Sequence, residues 1–187
     1  MDNFCKRKGA ALFGGSFDPP HNGHIEIVKE VLKLPYITQV VIVPTWKNPF
    51  KAKFNAPPQK RFEWIKKSFN FKDISISDFE ISQNRSVYTI ETFKHLRKTI
   101  NISYIIIGSD NLKDIEKWKD FEELNRSICW IVIKRGTIDK NILKLKHYLI
   151  IDFNNEISST YIREKRDFSQ VPLVIKEDVE KFYKGDR

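Results

Sequence analysis

Short apolar runs alternate along the chain with longer segments in which apolar residues recur every three or four positions. The runs 9–13, 40–43, 102–107, 128–133 and 148–151 are scarcely interrupted by polar residues, and this predicts strands buried on both faces. Residues 74–79 alternate apolar with polar and predict an exposed or edge strand. Residues 22–34 carry Ile25, Val28, Val31 and Leu32 on one stripe, the mark of an amphipathic helix. Further helices are predicted over 58–69, with Phe62, Ile65 and Phe69 inward, and over 88–99, 158–165 and 173–183. Two short ones, 109–116 and 120–124, flank Trp118, and 45–57 reads as a loop of prolines and lysines.

Strands alternating with helices predict an α/β domain built on a doubly wound parallel sheet. No repeat, low-complexity segment or linker divides the chain, so residues 1–187 are expected to form a single domain. In such a sheet, ligands bind at the carboxyl ends of the strands where the strand order reverses. If the first strand is central, its neighbour across that point is 102–107. The loops facing the crevice are then 14–21 and 108–111, which hold most of the polar, glycine-bearing sequence.

Composition narrows the partners. No apolar run approaches the ~20 residues of a membrane span, and the apolar stretch after Lys6, Arg7 and Lys8 is too short for a signal peptide. The expectation is a soluble cytoplasmic protein with no membrane partner. Cys5 and Cys129 are too few for a disulfide framework. The net charge of +9 favours anionic partners, either nucleic acid or phosphorylated small molecules. The lysines are spread along the chain, which reads as a solvated basic surface, and no nucleic-acid partner is expected.

The loop in "ALFGGSFDPPHNGH" is the richest stretch. Gly14 and Gly15 let the backbone turn sharply and approach a ligand closely. The helix that begins near Asn22 aims its free N–H groups and positive dipole end at the same place, making an anion site. His21 and His24 share one face of its first turn, and both can donate to a phosphate oxygen. Neither G-x-x-x-x-G-K-[ST] nor G-x-G-x-x-G occurs. An H-x-x-H zinc site would need further ligands, which no nearby Cys or third His supplies, so no protein-held metal is expected.

"GGSFDPPHNGH" resembles the G-G-[ST]-F-D-P-x-H-x-G-H signature of the nucleotidyltransferase superfamily, with Ser16 in the hydroxyl position. "ISSTYIR", residues 157–163, resembles its second signature. "VPTWKNPFK" (43–51), "SVYTIETF" (86–93) and "GSDNLKDIEKW" (108–118) are similar to segments of one branch, the nicotinate-nucleotide adenylyltransferases. The resemblance implies a Rossmann-like nucleotidyltransferase fold whose C-terminal helices, from about residue 158, complete the ATP site. It implies that ATP and nicotinate mononucleotide react to give deamido-NAD and pyrophosphate, with Mg2+ bound to the ATP. The substrate's phosphate is the nucleophile, so no protein base is required.

Roles follow from the matched positions. Gly14, Gly15, Ser16 and Phe17 would lie against ATP, the glycines and Ser16 cradling phosphates. His21, His24 and Arg163 would act on the triphosphate. Asp110 would accept from the adenosine ribose, or cap the helix after it, with Gly108 allowing close approach. Ser158 would N-cap its helix, and Ser159 and Thr160 would hold phosphates. On the acceptor side, Trp118 would stack on the nicotinate ring, the amides near Tyr88 and Thr89 would receive its carboxylate, and Lys51 would meet its phosphate. Phe50 replaces a common His and Val87 a common Ser, and both changes fall on the mononucleotide side. "KRGT" (134–137) matches the family only in part and is left outside the site. The rival acceptors are phosphopantetheine and nicotinamide mononucleotide. A tRNA synthetase fragment, a non-catalytic nucleotide sensor and a nucleic-acid binder are the other readings.

Overall fold

The computed structural model describes residues 3–47, 55–153 and 157–185. A 3-10 turn, Asn3–Lys6, precedes β1 (Gly9–Gly15), α1 (Asn22–Leu32), β2 (Ile37–Pro44), α2 (Pro58–Ser68) and β3 (Ile74–Ile76). Then come α3 (Phe79–Ser82), α4 (Thr89–Leu96), β4 (Ile102–Gly108), a 3-10 segment Ser109–Lys117 and α5 (Phe121–Ser127). Strand β5 (Cys129–Lys134), a 3-10 turn Lys140–Lys144, β6 (Tyr148–Asp152), α6 (Ser159–Lys165) and α7 (Leu173–Lys184) complete the order.

The six strands are all parallel, in the order β3-β2-β1-β4-β5-β6. The order reverses between β1 and β4, as expected for a doubly wound sheet. Burial on both faces explains the continuous apolar runs. In β1, Ala11 and Phe13 enter the core on one face and Ala10 and Leu12 the core on the other. The same division separates Val40 and Ile42 from Val41 and Val43, and Tyr104 and Ile106 from Ile105 and Ile107. A third apolar cluster joins Trp64 of α2 to Ile162, Val171, Ile175 and Val179, which binds the C-terminal helices to the body. Among the described residues, no helix is long and apolar enough to cross a membrane.

Three expectations change. The strand expected over 74–79 stops at Ile76, where it pairs with Ile42 at the sheet edge. Phe79 begins α3 instead, and its ring stacks on His95 of α4 at 3.9 Å. Strand β1 runs two residues further than its apolar run, because Gly14 and Gly15 stay in register with Val43 and Pro44. Cys5 and Cys129, too few for a framework, nevertheless form one disulfide. The Tyr104 hydroxyl donates to the carbonyls of Cys5 (3.1 Å) and Arg7 (2.6 Å), which holds the N-terminal turn against the sheet.

Candidate active site

The loop between β1 and α1 is held from outside. Phe17 has φ +48°, a left-handed backbone unusual outside glycine. Packing enforces it: the ring is buried, 5.4 Å from Phe13 and 4.9 Å from His24. The Asp18 carboxylate accepts from the amides of Asn55 (2.9 Å) and Ala56 (3.0 Å), the Asn55 side chain (3.2 Å) and the Tyr183 hydroxyl. Burial and Asp18 push the Tyr183 hydroxyl well above its usual range, so it stays a donor. Arg61 of α2, fully buried, donates to the carbonyls of Ser16 (2.6 Å), Thr45 (2.6 Å), Trp46 (2.8 Å) and Ala56 (3.1 Å). One guanidinium therefore fixes the loops after both β1 and β2. Neither Asp18 nor Arg61 was singled out in the sequence. The available signal was a charged residue one turn before Ile65, on the inward stripe of α2.

The two histidines meet at the start of α1, with rings stacked 3.7 Å apart. The His21 N–H donates to His24 Nδ1 at 3.2 Å. His24 therefore carries its proton on Nε2 and presents that atom as a donor. Burial and the nearby Arg135 lower the His21 pKa to about 3. Burial, His21 and Arg135 hold His24 well below the usual imidazole range. Both rings are neutral at physiological pH, so the positive charge here belongs to arginines.

A first cleft opens over these rings. It is lined by Gly15, Ser16, Phe17, His21 and His24 from the loop and α1, and by Gly108 and Asp110 after β4. Ser158, Ser159, Thr160 and Arg163 close it from α6, and Arg135 from the end of β5. Ser158 caps α6 as expected, accepting from the Tyr161 amide at 3.1 Å. Ser159 ties α6 to the loop by donating to the Pro19 carbonyl at 2.8 Å. Arg163 donates to the Asp18 carbonyl and to Thr160 Oγ1 (3.3 Å). Asp110 is exposed and caps no helix amide. A Cβ at Gly108 would lie 2.3 Å from Asp110 Oδ1, so any larger residue there would turn that exposed carboxylate aside. Arg135, in the segment left aside from the sequence, joins this cleft with a buried, unpartnered Nε.

A second cleft lies beside the first. Trp118, Tyr88 and Thr89 line it together, as the sequence placed them. Gly14 stands in its wall rather than the first cleft's, and Asn111 lines both. Trp118 is half-buried, edge-on to the core ring of Trp130 at 5.9 Å, and leaves its remaining surface to the cleft. The Tyr88 amide donates to Glu91 Oε1 at 3.1 Å. That amide is occupied, and the Thr89 amide at the first turn of α4 is the free one. Val87 is buried in the wall. Glu80 and Lys119, which sequence reasoning missed, also line this cleft. Lys51 and Phe50 lie outside the described residues. Among the described residues, no three His, Cys, Asp or Glu side chains converge to hold a metal.

The two clefts are adjacent: Gly14 lines one, Gly15 the other, and Asn111 both. The sequence profile of the Cytidylyltransferase-like family matches residues 12–165. A probable nicotinate-nucleotide adenylyltransferase of Campylobacter fetus is 45% identical over 179 residues, which cover 93% of this chain and 96% of the relative. One from Sulfurovum sp. is 41% identical over 178 residues, 95% of each. Among solved structures, the Plasmodium falciparum nicotinic acid mononucleotide adenylyltransferase complexed with NaAD superposes with a TM-score of 0.72. It is 25% identical, covering 95% of this chain and 98% of that one.

Proposed function

We propose a mechanism from the premise that this chain belongs to the Cytidylyltransferase-like family, and within it to the nicotinate-nucleotide adenylyltransferases. It is a nucleotidyltransferase of NAD biosynthesis that transfers the adenylyl group of ATP to nicotinate mononucleotide. The observation that carries the reading of the site is the adjacency of the two clefts, with Gly14 in one wall and Gly15 in the other.

In this reading ATP occupies the cleft over the histidines and the mononucleotide the cleft beside Trp118. A phosphate oxygen of the mononucleotide forms a bond to the ATP α-phosphorus. The bond from that phosphorus to the β-phosphate oxygen breaks, and pyrophosphate leaves with the electron pair. No proton must be removed from the nucleophile, so the work is positioning and charge stabilisation. His24 Nε2 donates to the α-phosphate as its charge shifts, with His21 beside it. Arg163 and Arg135 supply the cationic charge on the leaving side. Ser16 and the first-turn amides of α6 hold the phosphates, since at the start of α1 the Asn22 amide is already given to the Gln170 carbonyl at 2.8 Å. Asp110 accepts from the adenosine ribose. Trp118 stacks on the pyridine ring, and Lys51 pairs with the mononucleotide phosphate.

The Asp18 carboxylate is already saturated with donors, which leaves it ill-suited to a metal. Mg2+ would therefore enter as part of the substrate, with the ATP phosphates. The C-terminal helices complete the ATP site through Ser158 to Arg163. Small nucleotides, rather than nucleic acid, are the proposed partners. Many basic side chains are spent in surface ion pairs, among them Lys94–Glu123, Lys134–Asp152 and Lys184–Glu180. A cytoplasmic location is proposed from the soluble nucleotides used. The Cys5–Cys129 bond lines neither cleft.

Pyrophosphate release from ATP, with nicotinate mononucleotide, nicotinamide mononucleotide and phosphopantetheine offered in parallel, tests the assignment. A strong preference for the first is expected. Turnover of phosphopantetheine alone would overturn the roles given to Trp118 and Thr89. Release with none of the three would favour a nucleotide sensor.

A further inference from the structure

One polar group in the second cleft has no use in the mechanism above. Glu80 stands in the wall and is only 5% exposed. Its Oε1 accepts from Thr92 Oγ1 at 2.6 Å, while Oε2 is buried and has no partner. Such an oxygen costs free energy unless something meets it. The carboxyl sits on the single turn of α3, which the Phe79–His95 stack fixes to α4.

The charged and titratable groups around it come from three directions. Glu91 on α4 opposes its ionisation, and Arg61 on α2 favours it. Lys119 shares the cleft and lies 5.1 Å over the Tyr88 ring. Burial outweighs them all and pushes the Glu80 carboxyl up to about 7. Both protonation states are thus accessible near neutrality.

We infer that Glu80 decides between acid and amide in this cleft: protonated, it donates from Oε2 to a carboxylate on the pyridine ring, and ionised, it repels that carboxylate and accepts from an amide. This rests on the mononucleotide occupying the second cleft. A carboxylate accepts only, so it needs several donors, and the cleft offers the Thr89 amide on one side and Lys119 on another. A protonated Glu80 adds another. Two carboxyl groups enclosed together share one proton, so arrival of the acid substrate draws a proton onto Glu80. The amide substrate has no such demand.

The test measures kcat/KM for nicotinate and nicotinamide mononucleotides from about pH 5.5 to 9 with saturating ATP. Taking the ratio cancels the titration of groups common to both substrates. The acid-to-amide ratio should fall above about pH 7, approaching tenfold per pH unit. Glu80→Gln keeps an N–H donor at every pH, so its ratio should be flat. Calorimetry at pH 8 in two buffers of different ionisation enthalpy should show near one proton taken up with the acid and none with the amide. A wild-type ratio independent of pH, or no proton uptake, would overturn the inference, and neither reading depends on how well the variant folds. A Glu80→Gln profile identical to the wild type would overturn it as well. Absence of transfer to either mononucleotide at any pH would instead strike the adenylyl-transfer reading on which it rests.

Discussion

The cleft over the histidines and the cleft beside Trp118 are adjacent at Gly14 and Gly15, yet they are built differently. The first takes most of its polar groups from two contiguous stretches, the loop into α1 and the start of α6, with Arg135 added from the end of β5. The second draws one to three residues each from β1, the loop after β2, α3, the head of α4 and the turns after β4 and around Trp118. A polyanion is satisfied by successive backbone donors and cations, which one loop can supply. A flat ring needs walls on several sides, and walls come from separate elements. The electrostatics diverge too. The first cleft pairs two arginines with two neutral imidazoles, whereas the second buries a carboxyl.

The harshest test of this contrast is Arg61→Ala, because Arg61 serves both sides at once. It would strip the donors from the Ser16, Thr45, Trp46 and Ala56 carbonyls. Urea unfolding should show a loss of about 3–5 kcal/mol, with binding in both clefts impaired. A loss confined to one cleft would mean that the loops are held independently. His24→Ala should damage the first cleft alone. It is expected to lower kcat on the order of 10²–10³-fold while leaving the KM for the mononucleotide unchanged. A change in KM only would demote His24 to a wall residue.

Stability against pH sharpens the electrostatic half of the comparison. Glu80 has an ordinary value of 4.5 and a folded value of about 7, so between them the folded state holds the extra proton. Its contribution is present at acid pH and disappears as pH rises through 7. Replacing it by Gln should therefore raise the melting temperature at pH 8, by a stability gain of at most about 3 kcal/mol, and leave it little changed near pH 4.5. The histidines work in the opposite sense. Their folded values lie below 6.5, so the unfolded state binds more protons as pH falls beneath 6.5 and the fold weakens there. Double replacement of His21 and His24 by Gln should flatten that acid limb. The smallest effect is expected from Trp118→Ala, a rise of roughly tenfold in KM for the mononucleotide with KM for ATP unchanged. An equal rise for both substrates would mean that Trp118 acts through its packing on Trp130.

Legibility in the sequence follows the same division. The strands were readable because burial on both faces makes them continuously apolar, and β3 was readable as an edge. The loop and α6 were readable because glycines, a helix start and Ser158 act through their own neighbours. Phe79 was misleading, since a ring at the end of an alternating run packs on His95 as well as it would on a sheet. Tyr88 was half legible: its place at the head of α4 was clear, but the capture of its amide by Glu91 was not. Glu80 carried no local mark at all, and Arg135 only the partial family match of "KRGT".

What the sequence determined by itself was the alternation of elements, the crevice loops and the residue types that meet a triphosphate. These depend on periodicity, turn chemistry and helix ends, all of which act within a few residues. Tertiary structure alone decided the protonation of His21, His24 and Glu80, the double anchoring of the loops by Arg61, and the bond between Tyr183 and Asp18, 165 residues apart. Burial and partner choice set those properties, and both are fixed only when distant segments come together.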